Sequence, residues 1–123
     1  MTRRAILVVE DELDGQELVT RMLKQVNVET ELAGTAEEAW TLLKSQSFMG
    51  AIIDLALPGQ DGFQLLNSIR NDQNLHGLPC IAMTAYHTPQ LKHDALENGF
   101  DAYFAKPLNR TLFLGAVESV IFK

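Results

Sequence analysis

Five short apolar segments alternate with five segments in which apolar residues recur at helical spacing, and this alternation limits the possible folds more than any other feature of the sequence. The apolar segments are residues 5–9, 28–32, 49–53, 79–84 and 102–105. Strands that alternate with helices usually pair in parallel, with helices on both faces of the sheet. The sequence therefore predicts an α/β fold of three layers around a five-stranded parallel sheet. The second segment contains Glu29 and Glu31, so we expect it at an edge.

The segments between the strands carry the signals of helix starts. Thr35 precedes Glu38 by three residues, which predicts a capping box at the second helix. Thr88 stands directly before Pro89, which predicts an N-cap residue followed by a proline in the first helical position. The helical spacing also predicts apolar stripes that face the core. These stripes include Leu18, Leu96 and Leu112.

Length and composition narrow the class of protein. At 123 residues and 46% hydrophobic content, we expect residues 1–123 to form one domain with its own core. The net charge of −6 argues against nucleic acid or anionic lipid as a partner, because both attract clustered Lys and Arg. Cys80 is the only cysteine, which suits a reducing compartment. With neither a leader nor an apolar run of membrane-spanning length in the sequence, we expect a cytoplasmic domain with no membrane contact.

Polar residues follow four of the five predicted strands. Glu10 and Asp11 follow the first, Asp54 the third, Thr84 ends the fourth and Lys106 follows the fifth. Parallel sheets bind ligands beyond the carboxyl ends of their strands, so these residues point to one site. Two carboxylates about 4 Å apart repel by roughly 4 kcal/mol at an effective dielectric near 20, and the repulsion calls for a cation. Oxygen ligands without a Cys/His cluster favour Mg²⁺ over zinc.

Each of these residues also has a simpler interpretation when it is taken alone. The acidic run that begins at Glu10 could be a solvated helix start, which the helix dipole favours. Thr84 could be an ordinary strand threonine, and Lys106 an ordinary surface lysine. Because all of these residues lie at strand ends along one edge of the predicted sheet, we interpret them as a shared ligand-binding site. We assign only Glu12 and Asp14 to the helix start.

These residues resemble the receiver domain of two-component response regulators, and the resemblance covers essentially the whole chain. The segment "DLALPGQDG" is similar to the family's Asp-x-x-Met-Pro-x-x-x-Gly loop, with Leu57 in place of Met. The segment "NGFDAYFAKP" is similar to the family's Gly-x-x-x-Tyr-x-x-Lys-Pro segment, which puts an aromatic at Tyr103. The family's acidic pair, aspartate, hydroxyl residue and Lys-Pro pair match Glu10, Asp11, Asp54, Thr84, Lys106 and Pro107. The resemblance implies a flavodoxin-like (βα)5 fold with strand order 2-1-3-4-5.

The resemblance also implies a chemistry. Asp54 would be the nucleophile that accepts a phosphoryl group from a histidine kinase or a histidine phosphotransfer protein. Asp11, Asp54 and the backbone carbonyl of Ala56 would hold Mg²⁺, with Glu10 acting directly or through water, and Mn²⁺ can substitute. Such a domain catalyses its own phosphorylation and slow dephosphorylation. It is a switch and not a turnover enzyme.

The remaining family residues would stabilise the phosphoryl group and report its presence. Lys106 would pair with one phosphoryl oxygen, and the Thr84 hydroxyl would donate a hydrogen bond to another. Tyr103 would act as an aromatic switch that changes the face offered to a downstream partner or output domain. The family also implies a cis peptide bond between Lys106 and Pro107, where proline makes the cis form accessible.

Three other functions compete with this interpretation. A haloacid-dehalogenase-like aspartyl-phosphate phosphatase needs Asp-x-Asp after the first strand, but here Leu13 stands two residues after Asp11. A flavodoxin-like cofactor binder needs a loop rich in Ser, Thr and Gly there, and "EDELDG" has the wrong charge. A degenerate receiver would act as a docking module without phosphorylation. The presence of all the phosphorylation residues argues against that last alternative.

Overall fold

The computed structural model describes residues 4–57, 59 and 61–122, and within these residues five parallel strands form one sheet in the order β2-β1-β3-β4-β5. The strands are β1 (Ala5–Val9), β2 (Glu29–Ala33), β3 (Gly50–Asp54), β4 (Cys80–Thr84) and β5 (Ala102–Ala105). The helices are α1 (Leu13–Lys24), α2 (Ala36–Ser45), α3 (Gly62–Arg70), α4 (Pro89–Glu97) and α5 (Arg110–Ala116). The predicted flavodoxin-like fold and its strand order are confirmed.

The sheet separates two apolar clusters, one on each face. Successive residues of a strand point to opposite faces, so Leu7 and Ile6 of β1 belong to different clusters. The cluster around Leu7 is completed by α2, α3 and α4, and the cluster around Ile6 by α1 and α5. The helices in the described part of the chain have at most 12 residues, and none is long and apolar enough to cross a membrane.

Strand β2 lies at an edge of the sheet, as its two glutamates predict. It begins one residue later than the sequence predicts, at Glu29 and not at Val28. Val28 is buried, and its backbone N–H donates to the carbonyl of Leu23 in α1. It therefore closes the turn that follows the helix. Asn27, just before it, has a φ of 59°, which lets the chain reverse there.

The predicted helix starts of α2 and α4 are present, with one difference. The Thr35 side chain accepts a hydrogen bond from the Glu38 backbone N–H at 3.1 Å. The Glu38 carboxylate, however, accepts from the Gly34 N–H and not from Thr35, so the reciprocal half of the predicted capping box is missing. Thr88 caps α4, and Pro89 occupies its first turn, as predicted.

The predicted burial of three leucines is wrong. Leu18, Leu96 and Leu112 are 39%, 43% and 65% exposed. Each is next to a buried residue, Val19, Ala95 or Phe113. Neighbours on a helix point about 100° apart, so the leucines lie at the margin of the buried stripe or outside it. After Ala116 the chain continues as a π-helix over Val117–Ile121, which keeps both of these terminal residues buried.

Candidate functional site

The carboxyl ends of β1, β3, β4 and β5 bring together the polar residues that the sequence singles out. We call Glu10, Asp11, Asp54, Thr84 and Lys106 the strand-end cluster. Asp54 and Thr84 are the last residues of their strands, and Glu10 and Lys106 directly follow theirs. The register pairs Asp54 with Met83 and Thr84 with Ala105, so the ends of β3, β4 and β5 lie at one level. All five residues lie at one edge of the sheet because the strands are parallel.

Lys106 connects two of the acids. Its ammonium donates to Asp54 Oδ2 at 2.7 Å and to Glu10 Oε1 at 2.5 Å. The Lys106 side chain is 22% exposed, whereas those of Asp54 and Glu10 are 6% and 0% exposed. Burial alone would lower the pKa of Lys106, but the hydrogen bonds and charges of Asp54 and Glu10 outweigh it and raise that pKa. The ammonium is therefore charged at neutral pH and compensates two buried carboxyl groups.

Three carboxyl groups meet at this point. One oxygen from each of Glu10, Asp11 and Asp54 lies within 4.8 Å of the other two. Burial raises the pKa of Glu10, the hydrogen bond from Lys106 opposes that rise, and the neighbouring Asp54 adds to it. Glu10 Oε2 is buried and has no hydrogen-bond partner among the described residues. Three carboxylates, one of them with a buried and unpaired oxygen, face a single ammonium, and this oxygen-rich set suits a hard divalent cation such as Mg²⁺.

The loop after β3 fixes the Asp54 side chain. Its Oδ1 atom accepts a hydrogen bond from the Ala56 backbone N–H at 2.8 Å. Helix α3 starts directly against this loop at Gly62, where a Cβ would lie 2.7 Å from the Asp54 carbonyl oxygen and 2.9 Å from the Leu55 Cα. Those contacts are shorter than real Cβ atoms allow, so glycine is needed at position 62 for this approach. The carbonyl of Ala56 remains a predicted metal ligand.

A capping box that the sequence analysis missed starts α3. The Asp61 side chain accepts from the Gln64 backbone N–H at 2.9 Å, and the Gln64 side chain accepts from the Asp61 N–H at 2.8 Å. The sequence signal was present, because Asp61 precedes Gln64 by three residues. The box anchors α3 immediately after the loop that carries Asp54.

Thr84 and Tyr103 lie in neighbouring strands, and the loop after β4 links them. Thr84 is buried, and its hydroxyl oxygen accepts a hydrogen bond from the Tyr86 N–H at 3.0 Å. The Tyr103 hydroxyl lies 2.9 Å from His87 Nδ1, and the two rings are 5.5 Å apart. Burial raises the pKa of Tyr103. Sequence reasoning missed His87, since only its position three residues after Thr84 hints at a role.

The bond between Lys106 and Pro107 is cis, as the resemblance implies. The Lys106 backbone N–H donates to the Thr84 carbonyl at 2.8 Å, which continues the β4–β5 pairing past the end of β5. Lys106 is therefore fixed by its backbone to β4 and by its side chain to the acids beyond β1 and β3. The arrangement can bind a cation beside Asp54 and offers an ammonium to an anionic group at the same place.

Comparisons with known proteins agree with this geometry. The family described as the response regulator receiver domain matches residues 6–118. A 14.6 kDa protein from the sodA1 3′ region of Leptolyngbya boryana is 36% identical over 85% of this chain and 79% of its own length. The transcriptional regulatory protein PmrA of Pectobacterium parmentieri is 34% identical over 94% of this chain but only 51% of its own. The chain thus spans about half of that regulator.

A solved structure extends the comparison to the fold. The receiver domain of sensor histidine kinase PA1611 from Pseudomonas aeruginosa PAO1 superposes with a TM-score of 0.89 and 26% identity. The match covers 99% of this chain and 100% of that one. That structure has a magnesium ion coordinated in its active site cleft.

Proposed function

The chain belongs to the family of response regulator receiver domains of two-component signalling, and on that premise we propose that Asp54 accepts a phosphoryl group from a histidine kinase or a histidine phosphotransfer protein. One observation carries the proposal. Asp54 is nearly buried at the end of β3, yet its carboxylate contacts the Lys106 ammonium at 2.7 Å inside a cluster of three carboxyl groups. Burying a carboxylate at the end of a core strand costs free energy of folding even when it is paired with an ammonium. Its presence there therefore favours a role in reaction or in ligand binding.

The transfer step uses the residues of the strand-end cluster. A carboxylate oxygen of Asp54 attacks the phosphorus of the donor phosphohistidine. The O–P bond forms while the N–P bond breaks, and the histidine nitrogen leaves with the electron pair of that bond. Lys106 exchanges its contact with Asp54 for one with a phosphoryl oxygen, and Thr84 donates its hydroxyl to another. The product is an acyl phosphate, which the same site hydrolyses slowly, so the domain modifies itself and turns over no separate substrate.

Glu10, Asp11, Asp54 and the backbone carbonyl of Ala56 are the groups that would hold Mg²⁺, or Mn²⁺ in its place. The unpartnered Oε2 of Glu10 and the close approach of the three carboxyl groups support this assignment. The bound cation supplies neutralisation of carboxylate and phosphoryl charge. Asp11 and Asp54 would supply carboxylate oxygens to the cation, and Glu10 would contribute directly or through water.

The phosphorylated state is read out through Thr84 and Tyr103. When the Thr84 hydroxyl turns toward the phosphoryl group, it gives up its contact with the Tyr86 N–H. The space vacated beside β4 is open to Tyr103, which lies opposite Ala82 in the β4–β5 register. Tyr103 then exchanges its His87 partner for inward packing, and the face formed by α4, β5 and α5 changes shape.

The partners follow from this cycle. The donor is a histidine kinase or a histidine phosphotransfer protein, and the recipient of the signal is a downstream protein or an output domain. The match to a regulator of twice this length and to the receiver of a sensor histidine kinase supports both assignments. The proposal places the domain in the cytoplasm, which suits a chain whose single cysteine is a buried thiol.

Intact-mass spectrometry with acetyl phosphate and Mg²⁺ tests the proposal. We expect one added phosphoryl group on the wild type and none on Asp54→Asn or in the presence of EDTA. Asp61→Asn is the matched control, because asparagine keeps the cap of α3 while removing a carboxylate outside the strand-end cluster, and it should be labelled like the wild type. Equal labelling of Asp54→Asn would overturn the assignment. An unlabelled wild type that still binds Mg²⁺ would support the docking module instead.

A further inference from the structure

Helix α1 carries a glycine against the side chain of Glu10. A Cβ built on Gly15 would lie 2.7 Å from Cδ and 3.0 Å from Cγ of Glu10, and closer still to its Oε1. The space that a side chain at position 15 would need is therefore already filled by the Glu10 carboxyl group. The Glu10 oxygen that would be pressed hardest is the one bonded to Lys106.

This contact concerns a side chain with few other positions. Glu10 is 0% exposed, its backbone carbonyl accepts a hydrogen bond from the Gln16 side chain at 2.7 Å, and its Oε2 is unpartnered. Glu10 and Gly15 also line a cavity of about 360 Å³. The rest of the lining is mainly apolar, with Leu18, Val19 and Met83, and its charged members are Asp14 and Lys106. A Glu10 carboxylate displaced into this space would leave Asp11 and Asp54 for a largely apolar environment beside another acid.

Helix stability does not account for Gly15. Glycine inside a helix is less stable than alanine because it loses more backbone freedom on folding. A second helical glycine, Gly115 in α5, provides the comparison, since a Cβ built there has no atom within 4 Å apart from its chain neighbours and its own helix backbone. The two glycines share a helical backbone and differ in what a methyl group would meet.

We propose that Gly15 is a positioning residue for Glu10, which lets the carboxylate lie under α1 where Oε1 contacts Lys106 and Oε2 stays free for the cation. The inference rests on the proposed function of the strand-end cluster, and it adds a residue that contacts neither metal nor phosphoryl group. A methyl group at position 15 forces the Glu10 carboxylate off Lys106 and out of the arrangement with Asp11 and Asp54. An aspartate at position 10, one methylene shorter, withdraws from that methyl group.

A double-mutant cycle on Mg²⁺ affinity, measured by titration calorimetry, tests the inference. We expect Gly15→Ala to weaken Mg²⁺ binding on the order of tenfold, the effect typical of losing an orienting group around a metal. In the Glu10→Asp background, Gly15→Ala should change the affinity by less than about twofold, because the two positions are coupled. Gly115→Ala should leave the affinity at its wild-type value. Additive effects, or a Gly15→Ala affinity within about twofold of wild type, would overturn the inference.

A metal-free measurement separates this inference from the proposed function. The side-chain carboxyl ¹³C resonance of Glu10, recorded by NMR without Mg²⁺, should move in Gly15→Ala and stay in place in Gly115→Ala. If the Glu10 resonance moves in Gly15→Ala although the wild type accepts no phosphoryl group, the result supports the positioning role of Gly15 and contradicts phosphorylation of Asp54. An unmoved Glu10 resonance in Gly15→Ala would refute the positioning role whatever Asp54 does.

Discussion

Lys106 offsets part of the negative charge of the strand-end cluster, since its one ammonium pairs with the carboxylates of both Asp54 and Glu10. Burying either acid without a partner would cost several kcal/mol. A phosphoryl group on Asp54, as proposed, would replace one negative partner of Lys106 with another, so the ammonium would remain paired. The same ion pairs that stabilise the unmodified site are therefore suited to the modified one.

The buried thiol of Cys80 makes the stability of the fold depend on pH. This residue is fully buried in β4, and burial raises the pKa of its thiol to about 12 from an ordinary value of 9.0. Because the pKa of the thiol is higher in the folded than in the unfolded protein, its contribution to stability is fully present at pH values below the unfolded pKa. This contribution is lost as the pH rises toward and through the folded pKa. Stability should therefore fall above pH 9 by up to roughly 1.4 kcal/mol per pH unit more in wild type than in Cys80→Ala.

Denaturant titrations of both proteins between about pH 8 and pH 10.5 measure this difference. Iodoacetamide provides an independent check, since it alkylates the thiolate. Folded protein should resist alkylation near neutral pH and react promptly in urea. Parallel pH profiles for wild type and Cys80→Ala, or rapid alkylation of the folded protein, would contradict the account of Cys80.

Among the elements, we propose that the link between β5 and the loop before α4 determines how phosphorylation would be read out. Thr84→Ala should still accept phosphate at Asp54 but lose most of the change at Tyr103, because the hydroxyl that turns toward the phosphoryl group is missing. NMR of Tyr103 and α4, with and without beryllofluoride, measures the coupling. Equal shifts in wild type and Thr84→Ala, or no shift in either, would disprove it.

His87→Phe refines the same experiment. Phenylalanine keeps the ring beside Tyr103 but removes the hydrogen bond to its hydroxyl. The hydrogen bond to His87 holds Tyr103 in its present position, so its loss should favour the inward-packed position. The spectrum of His87→Phe without beryllofluoride should therefore move toward the beryllofluoride-bound spectrum. A free-state spectrum of Tyr103 identical to that of wild type would show that His87 does not oppose the switch.

Most elements could be predicted because their signals are local. The alternation of strands and helices depends on spacing along the chain, and so does the N-cap at Thr88. The shifted start of β2 was not readable, because it depends on the bond from Val28 back to Leu23 in α1. The sequence also could not show that only half of the capping box at Thr35 forms, because the Glu38 carboxylate accepts its hydrogen bond from the Gly34 N–H and not from the Thr35 N–H.

The members of the strand-end cluster could be predicted from their positions in the sequence, but the contact of Gly15 with this cluster could not. Parallel strands deliver their last residues to one edge, so residue type and position suffice to place Asp54, Thr84 and Lys106 near one another. The contact of Gly15 with Glu10 depends instead on how α1 packs against the end of β1. No spacing rule encodes such side-chain contacts.

At the scale of the molecule, Arg70 ties together segments far from the strand-end cluster. Its guanidinium donates to the carbonyls of Gly99, His76 and Leu78 and to the Asp101 carboxylate. These groups belong to the turn before β5 and the loop before β4, so the end of α3 depends on Arg70 for its attachment to both. The Asp101 carboxylate also accepts from the Cys80 N–H at 2.8 Å.

Arg70→Ala should therefore lower the free energy of unfolding by about 2–3 kcal/mol, because the partly buried carbonyls of Gly99 and Leu78 lose a charged donor. Arg70→Lys should recover little of that loss, since an ammonium cannot reproduce the planar fork. Arg21→Ala, at an exposed position of α1, is the control and should change stability by less than about 0.5 kcal/mol. Urea denaturation measures all three variants, and an Arg70→Ala protein as stable as the control would contradict this role.

Chemical trapping identifies which carboxylate of this fold accepts the phosphoryl group, and we propose that it is Asp54. Borohydride reduces an aspartyl phosphate to homoserine, so fragment mass spectra of the protein treated with acetyl phosphate and Mg²⁺ identify the modified residue. The account predicts homoserine at position 54 alone, and none without Mg²⁺. Homoserine at position 11 or at another aspartate, the longer alcohol that a glutamyl phosphate would give, or no reduced residue anywhere despite bound Mg²⁺, would contradict the assignment to Asp54.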